Sequence, residues 1–210
     1  MTELILALDV TDRDRALGIA HVCAPFLDAI KIGYPLVLFA GLEIAQELSS
    51  LGLPLIADFK IADIPYTNRL ICEEVFGAGF HAVIAHGFPG SDSLRACVDS
   101  AHAHDGACYV VAEMSHPGAV EFFPEVADRI TFLAMEVGAD GIIAPATRPE
   151  RIRELRKIVG NRKIYSPGIG AQGGDWEKAS SFADGIIVGR TIYESSDPAE
   201  AARQFSCIRR

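Results

Sequence analysis

The sequence predicts an α/β protein, a single (β/α)8 TIM barrel over residues 1–210. Three observations point there. Short apolar runs alternate with amphipathic stretches along the whole chain, and eight such units account for it with nothing left over. The runs are continuously apolar and rich in Val and Ile, the composition of parallel strands buried on both faces. No GxGxxG follows the first run, which ranks an open doubly wound sheet second. The chain stands near the short end for this barrel, about 200 residues and up, so its loops must be compact.

The elements follow in order. Residues 4–8 form the first strand, ending at Asp9, and Thr11 or Asp12 caps a helical pattern running to about Val22. Residues 29–33 are the second strand, with one helix expected over 36–51. Residues 53–57 are the third strand, and they run directly into Asp58-Phe59-Lys60-Ile61-Ala62-Asp63-Ile64-Pro65. A helix from about Pro65 to Phe76 is stopped by Gly77 and Gly79. Residues 81–86 are the fourth strand, and 92–104 are helical with Ser91 or Asp92 as cap. Residues 107–113 are the fifth strand, followed by a helix over 125–137 that Gly138 ends. Residues 140–144 and 163–166 are the sixth and seventh strands, separated by a helix over 149–159. A short helix begins near Asp175, residues 184–188 are the eighth strand, and 197–205 form the closing helix.

Composition excludes several classes of partner. A net charge of −9 and a pI near 5.1 argue against nucleic acid and anionic membranes, both of which need a basic footprint. The first residues carry Glu3 and only a short apolar run before Asp9, unlike a secretory signal. No apolar run approaches the ~20 residues of a membrane helix. Five scattered cysteines without a CxxC pair read as reduced thiols, so the protein is expected to be soluble and cytoplasmic. The histidines show no metal-ligand spacing, and neither a metal nor an organic cofactor is expected. His86 and His116 are placed near the mouth of the barrel, and Trp176 and the Phe122-Phe123 pair are read as packing residues.

Barrel enzymes carry catalytic groups at the carboxyl ends of their strands and bind phosphate after strands seven and eight. The strand ends here are Asp9, Lys31, Asp58 with Lys60, His86, Ser115 slightly beyond strand five, Pro167 and Gly189-Arg190. Residues two apart on a strand share a face, so Asp58 and Lys60 project together, with Asp63 just beyond. Two readings are open for this cluster: an ion pair capping a strand with an acid at a helix start, or a charged catalytic constellation. After strand seven, Pro167-Gly168-Ile169-Gly170-Ala171-Gln172-Gly173-Gly174-Asp175 lets backbone N–H groups approach a ligand closely. After strand eight, Gly189-Arg190 adds a glycine amide and a guanidinium. The alternative is tight turns and a surface arginine. Two such loops at the two phosphate positions of a barrel favour a phosphate site.

The Asp58-to-Pro65 stretch, with Ala7-Leu8-Asp9, Lys31-Ile32-Gly33 and the loop 167–175, resembles the orotidine 5′-phosphate decarboxylase family, particularly its short archaeal form. The likeness runs from the first strand to Gly189-Arg190, and the sequence departs from the family pattern at none of the functional positions. The resemblance implies decarboxylation of orotidine 5′-monophosphate to UMP by a cytoplasmic homodimer with shared active sites. It implies a network of Lys31, Asp58, Lys60 and Asp63, the last supplied by the neighbouring subunit. Lys60 would protonate C6 of the pyrimidine, and Asp58 would lie beside the substrate carboxylate. Asp9, Lys31, Asp63 and Thr67 would contact the ribose, with Ile64 also binding substrate. Ser115 would hydrogen-bond the pyrimidine amide edge. Gln172, Gly189 and Arg190 would hold the phosphate, with Pro167 shaping the loop.

The residue types suit that chemistry. Losing carbon dioxide from C6 leaves electron density that the ring delocalises poorly. A fixed ammonium stabilises that charge more than the ground state and then delivers the proton. Lysine is a compact charge and a proton donor at once, whereas arginine does not readily release its proton. One rival is a metal-dependent sugar-phosphate decarboxylase or aldolase, which would be expected to carry an acid near strand two; here that position is Lys31. A second is a silent barrel that only binds a nucleotide, which does not need the intact Lys31, Asp58, Lys60 and Asp63 set.

Overall fold

A computed structural model describes residues 2–170 and 172–207. Ala171, inside the glycine-rich loop, lies outside the described residues. Eight parallel strands close in chain order: β1 (Glu3–Ala7), β2 (Ala29–Gly33), β3 (Leu55–Ile61), β4 (Ala82–His86), β5 (Ala107–Val111), β6 (Gly141–Ile143), β7 (Lys163–Pro167) and β8 (Gly185–Val188). β8 pairs back onto β1, with Leu4 opposite Ile186 and Leu6 opposite Val188. The barrel is therefore closed, and the open-sheet alternative is excluded.

The continuous apolar character of the strands has a two-sided cause. Ile5, Ile56, Ile84, Val111, Ile143 and Ile187 face the barrel interior as one cluster. Their neighbours Leu4, Leu6, Leu55, Val83, Val110 and Ile142 face outward into the helix layer. Alternation puts successive side chains on opposite faces, and both faces are dry. The amino-terminal end of the barrel is plugged by a polar cluster. Tyr165 Oη donates to Glu3 Oε2 at 2.6 Å, and Lys163 Nζ lies 2.5 Å from Glu3 Oε1. The carboxyl end of the strands is left open.

The surrounding helices are α1 (Arg13–Cys23), α2 (Tyr34–Ala40), α3 (Ile44–Ser49), α4 (Pro65–Gly77), α5 (Ser91–Ala103), α6 (Phe123–Glu136), α7 (Pro149–Val159), α8 (Trp176–Ser180), α9 (Arg190–Tyr193) and α10 (Pro198–Ser206). Asp12 and not Thr11 caps α1, accepting from Arg15 N at 2.8 Å. Asp175 caps α8 through the amides of Glu177 and Lys178. Three expectations need correction. The helix expected over 36–51 is two helices, because Gly41 takes φ +81°, a conformation that ends a helix. Neither Ser91 nor Asp92 caps α5; Gly90, at φ +115°, holds that place without a side-chain bond. A separate turn of helix, α9, intervenes between β8 and the closing helix. No helix among the described residues is long and apolar enough to cross a membrane.

β6 lies very close to β7 at Gly141, where a Cβ would collide with the carbonyl of Lys163. Gly141→Ala is expected to cost about 2 kcal/mol through overpacking of a rigid backbone. For a chain of this size that corresponds to a drop of roughly 4–8 °C in Tm, measured by thermal unfolding.

Candidate active site

The site starts with an irregularity in β3. Its pairing with β4 runs from Ala57–Val83 to Ile61–Ala85, so four steps along β3 match two along β4. The surplus is taken up as a bulge, in which Lys60 adopts φ +46°. A non-glycine residue there is strained and persists only where its surroundings hold it. Phe59 points outward, 6% exposed, with its ring stacked 5.0 Å from Tyr34 and edge-on to Phe80. Asp58 and Lys60 turn together into the mouth of the barrel. The strand thus carries Asp58 and Lys60 at its end, as expected, and stops at Ile61, before Asp63.

Four side chains form a line of alternating charge across the segment that follows β1, and then β2 and β3. Lys31 Nζ lies 3.8 Å from Asp9 Oδ2 and 2.6 Å from Asp58 Oδ2. The other oxygen of Asp58 lies 2.8 Å from Lys60 Nζ. Lys31 is 5% exposed. Burial alone would depress its pKa, but the negative charges of Asp58 and Asp9 outweigh that and hold it above the usual lysine value. Burial would likewise raise Asp58, yet the two ammoniums beside it hold its carboxyl below the usual range. Gly33, at the end of β2, makes the first link possible: a Cβ there would stand 2.7 Å from Asp9 Oδ1.

These charges form one wall of a cleft of about 310 Å³ at the carboxyl end of the barrel. Its apolar lining includes Ile84, Val111, Ile143 and Ile187 from the strands, with Ala7, Met114 and Ile169, and Pro167, Gly168, Gln172, Gly189 and Arg190 line it as well. The glycine-rich loop is folded on itself, with Gly174 N donating to Gly168 O at 3.0 Å. Gly168 has φ +100° and packs against Ser115 and Thr147; Gly170 has φ +70°, and a Cβ there would run into Thr191. These glycines let the loop after β7 lie against the segments after β5, β6 and β8. The arrangement can hold a polyanionic group at one end and place a flat, uncharged ring on the apolar lining, against an ammonium at the other.

Nine of the predicted site residues line this cleft: Asp9, Lys31, Asp58, Lys60, Ser115, Pro167, Gln172, Gly189 and Arg190. Asp63, Ile64 and Thr67 do not; Asp63 and Ile64 are exposed on the segment leading into α4. His116 lines the mouth, whereas His86 does not, its ring lying 5.0 Å from that of Phe88. Phe122 is 74% exposed and is not a packing residue, although Phe123 and Trp176 both pack against buried clusters. The sequence reading missed the strand residues Ile84, Val111, Ile143 and Ile187 of the lining, because an unbroken apolar strand does not reveal which residues face inward. It also missed Glu113, a carboxylate 1% exposed that lies 2.6 Å from Arg151 Nε and 3.3 Å from Arg148 Nε. Arg148 also donates to the carbonyl of Met114. This clasp ties the segment carrying Ser115 to α7. An acid ending an apolar strand was the one local signal; its arginine partners stand at the start of α7, beyond α6 and β6.

Comparison with known proteins agrees with the geometry. The sequence model of the Orotidine 5'-phosphate decarboxylase / HUMPS family matches residues 2–205. A relative from Methanococcoides burtonii, named orotidine 5'-phosphate decarboxylase, is 57% identical over 204 residues, covering 96% of this chain and 94% of its own. One of the same name from Thermococcus kodakarensis is 51% identical, covering 97% and 95%. The solved structure of orotidine 5'-monophosphate decarboxylase from Methanocaldococcus jannaschii, complexed with the inhibitor BMP, has a TM-score of 0.95 at 44% identity. It covers 99% of this chain and 98% of its own.

His86 gives the neighbourhood of the site a measurable pH signature. Its Nδ1 is buried and has no hydrogen-bond partner among the described residues. Burial, and then the positive charge of Lys60, push its pKa down to about 4 from the usual 6.5. The unfolded chain therefore binds a proton at this histidine that the folded chain refuses, and stability falls as pH drops from 6.5 towards 4. His86→Gln should flatten that part of the stability curve by an amount on the order of 2 kcal/mol, read from urea unfolding at pH 7 and pH 4.5.

Proposed function

The chain belongs to the orotidine 5'-phosphate decarboxylase / HUMPS family, and on that premise we propose how its cleft divides the work of the reaction. The enzyme converts orotidine 5′-monophosphate to UMP and carbon dioxide, the last step of de novo UMP synthesis. The observation that carries the mechanism is Lys60, a cation 2.8 Å from Asp58, which is itself bonded to the buried Lys31.

The phosphate of the substrate is held by Gln172, the Gly189 amide and Arg190, with Pro167 shaping the loop. Ile84, Val111, Ile143 and Ile187 receive the pyrimidine, and Ser115 bonds its amide edge. Asp9 and Lys31 reach the ribose hydroxyls. The substrate carboxylate then lies beside Asp58, against the ammonium of Lys60. When the C6 carboxylate leaves as carbon dioxide, the bonding pair remains on C6 and Lys60 gives it a proton, leaving a neutral amine. The ammonium stabilises the developing carbanion, whose charge is concentrated on C6, more than the starting carboxylate, whose charge is spread over two oxygens. Lys31 keeps Asp58 ionised, and Asp58 keeps Lys60 aimed. Phosphate binding, remote from the reacting carbon, contributes energy that positions the ring. The proton and the electrostatic stabilisation both come from side chains of the protein, and the reaction as written needs no metal or organic cofactor.

Asp63, Ile64 and Thr67 act in the cleft of a second copy of the chain. What supports this is their place: they stand outside their own cleft, in an exposed stretch beside the apolar side chains of Tyr66 and Leu70. Tyr34, Leu38 and Phe39, at the carboxyl end of β2, are also exposed and apolar. A homodimer covering such surface brings Asp63 to the partner's Lys60 and ribose site, extending the alternation of charge by one member. The enzyme works in the cytoplasm on a small nucleotide, and its net charge of −9 leaves nucleic acid and membranes outside its partners.

Lys60→Ala should lower kcat by at least about 10⁴-fold, losing both proton donor and charge, while UMP affinity changes by less than about tenfold. Orotidylate absorbance and UMP titration check the two halves, and a kcat near that of the unaltered enzyme would remove Lys60 from the chemistry. Mixing Asp63→Ala subunits with Lys60→Ala subunits should restore activity at about a quarter of the sites, since each hybrid holds one intact site. No recovery after confirmed subunit exchange would mean that Asp63 is not shared.

A further inference from the structure

The exposed position of Asp63 raises a physical problem. A carboxylate lent across an interface must arrive in register with another molecule's ligand, yet it sits on a connecting segment between β3 and α4, at the protein surface. Loops of that kind are the mobile parts of a fold. The segment here is held from beneath by two buried polar side chains that play no part in the cleft.

Asn68, on the first turns of α4, is fully buried, and Ser93, near the start of α5, is 3% exposed. Asn68 Oδ1 accepts from the backbone N–H of Asp63 at 3.0 Å. Ser93 Oγ donates to the backbone carbonyl of Asp63 at 2.6 Å. The two side chains are joined to each other: Asn68 Nδ2 donates to Ser93 Oγ at 2.9 Å and to Ser93 O at 3.0 Å. The amide of Asn68 thus uses its oxygen and its nitrogen, and the Ser93 hydroxyl both donates and accepts. Buried polar groups satisfied in this way are rigid, because every alternative leaves a donor or acceptor dry and unpaired. Both backbone groups of Asp63 are captured, so its Cα can neither swing nor rotate. The side chain is steadied in turn, with Oδ1 accepting from Ile64 N at 2.7 Å. Packing α4 against α5 does not need these bonds, since Cys72, Val75, Cys97 and Val98 already supply an apolar contact surface.

We propose that Asn68 and Ser93 are positioning residues for catalysis in the neighbouring subunit: they form a buried clamp on the Asp63 backbone that sets the carboxylate for delivery across the dimer interface. The inference rests on the shared-site reading of Asp63 given above. It assigns to Ser93 an effect on the partner's active site and none on its own barrel, which a merely structural role does not produce.

Hybrid dimers test this directly. Ser93→Ala homodimers should lose about 10- to 100-fold in kcat/KM, the scale of a small misplacement of a catalytic group. Ser93→Thr, which keeps the hydroxyl, should recover most of that loss. Hybrids of Ser93→Ala with Lys60→Ala, purified through two different affinity tags, have one functional Lys60, on the Ser93→Ala barrel. That site receives its Asp63 from the Lys60→Ala subunit, whose clamp is whole. The hybrid should turn over at about half the rate of the unaltered dimer, one site of two. A hybrid as slow as the Ser93→Ala homodimer, while Asp63→Ala with Lys60→Ala hybrids are active, overturns the clamp and leaves the shared site standing. Inactivity of both hybrids overturns the shared site and the clamp with it. The double variant Asp63→Ala/Ser93→Ala gives an independent readout: it should be no slower than Asp63→Ala alone, and additive losses overturn the clamp.

Discussion

Lys31 is an ammonium set in a barrel strand among Ile30, Ile32 and Ala29, and the arrangement of the site depends on keeping it charged. Removing one partner of such a buried pair costs about 3–5 kcal/mol, because the remaining charge is left dry. Asp58 and Asp9 supply the compensation from the strands on either side. Each of the three occupies its place because of the others. Asp9 needs the missing side chain of Gly33, and Asp58 keeps its charge because Lys31 and Lys60 flank it. Lys60 is held in an unfavourable backbone conformation, with its ammonium tied to Asp58. The polar line is over-determined, and Lys60 is the most exposed of its links.

The barrel was legible because both of its signals are physical necessities. Parallel strands with two dry faces must be apolar throughout, and the connecting helices must show a helical period. The charged site was legible for the converse reason: Lys31, Asp58 and Lys60 interrupt strands in which charge has no structural place. Ser115, Gln172 and Arg190 lie in the segments that follow strands five, seven and eight, where barrel geometry directs attention. What could not be read were features with no marking in local pattern. The break at Gly41 depends on a backbone angle that a glycine permits but does not require. Which isoleucines line the cleft depends on the phase of each strand, and an all-apolar strand carries no phase. The bulge in β3 leaves no trace in composition, and the burial of Glu113 is decided by two arginines more than thirty residues away.

Rigidity is unevenly distributed around the mouth. The segment after β5 is bound through Glu113 to Arg148 and Arg151, and the segment after β3 through Asp63 to Asn68 and Ser93. The glycine-rich loop after β7 has backbone bonds and glycine conformations in their place. On the proposed mechanism, groups that act on the reacting carbon or the base edge stand on segments pinned by buried polar side chains. The end proposed to bind phosphate is built largely on glycine backbone. Binding energy collected by an adjustable end can be used to draw a ligand onto a rigid one.

The pairing of β8 with β1 has a consequence for how the protein comes into being. The charged wall is contributed by β2, β3 and the segment after β1, and the glycine-rich loop and Gly189-Arg190 by the segments after β7 and β8, at the far end of the chain. During synthesis the first three strands emerge long before the last two, and the barrel has no closed interior until Glu3 meets Asp184. Until then Lys31 has no dry surroundings, and its charge is solvated like any other. Contacts of such sequence separation form late and cooperatively. The pocket is therefore a product of completion: a chain lacking its final strand has the whole charge network in sequence and no enzyme in space.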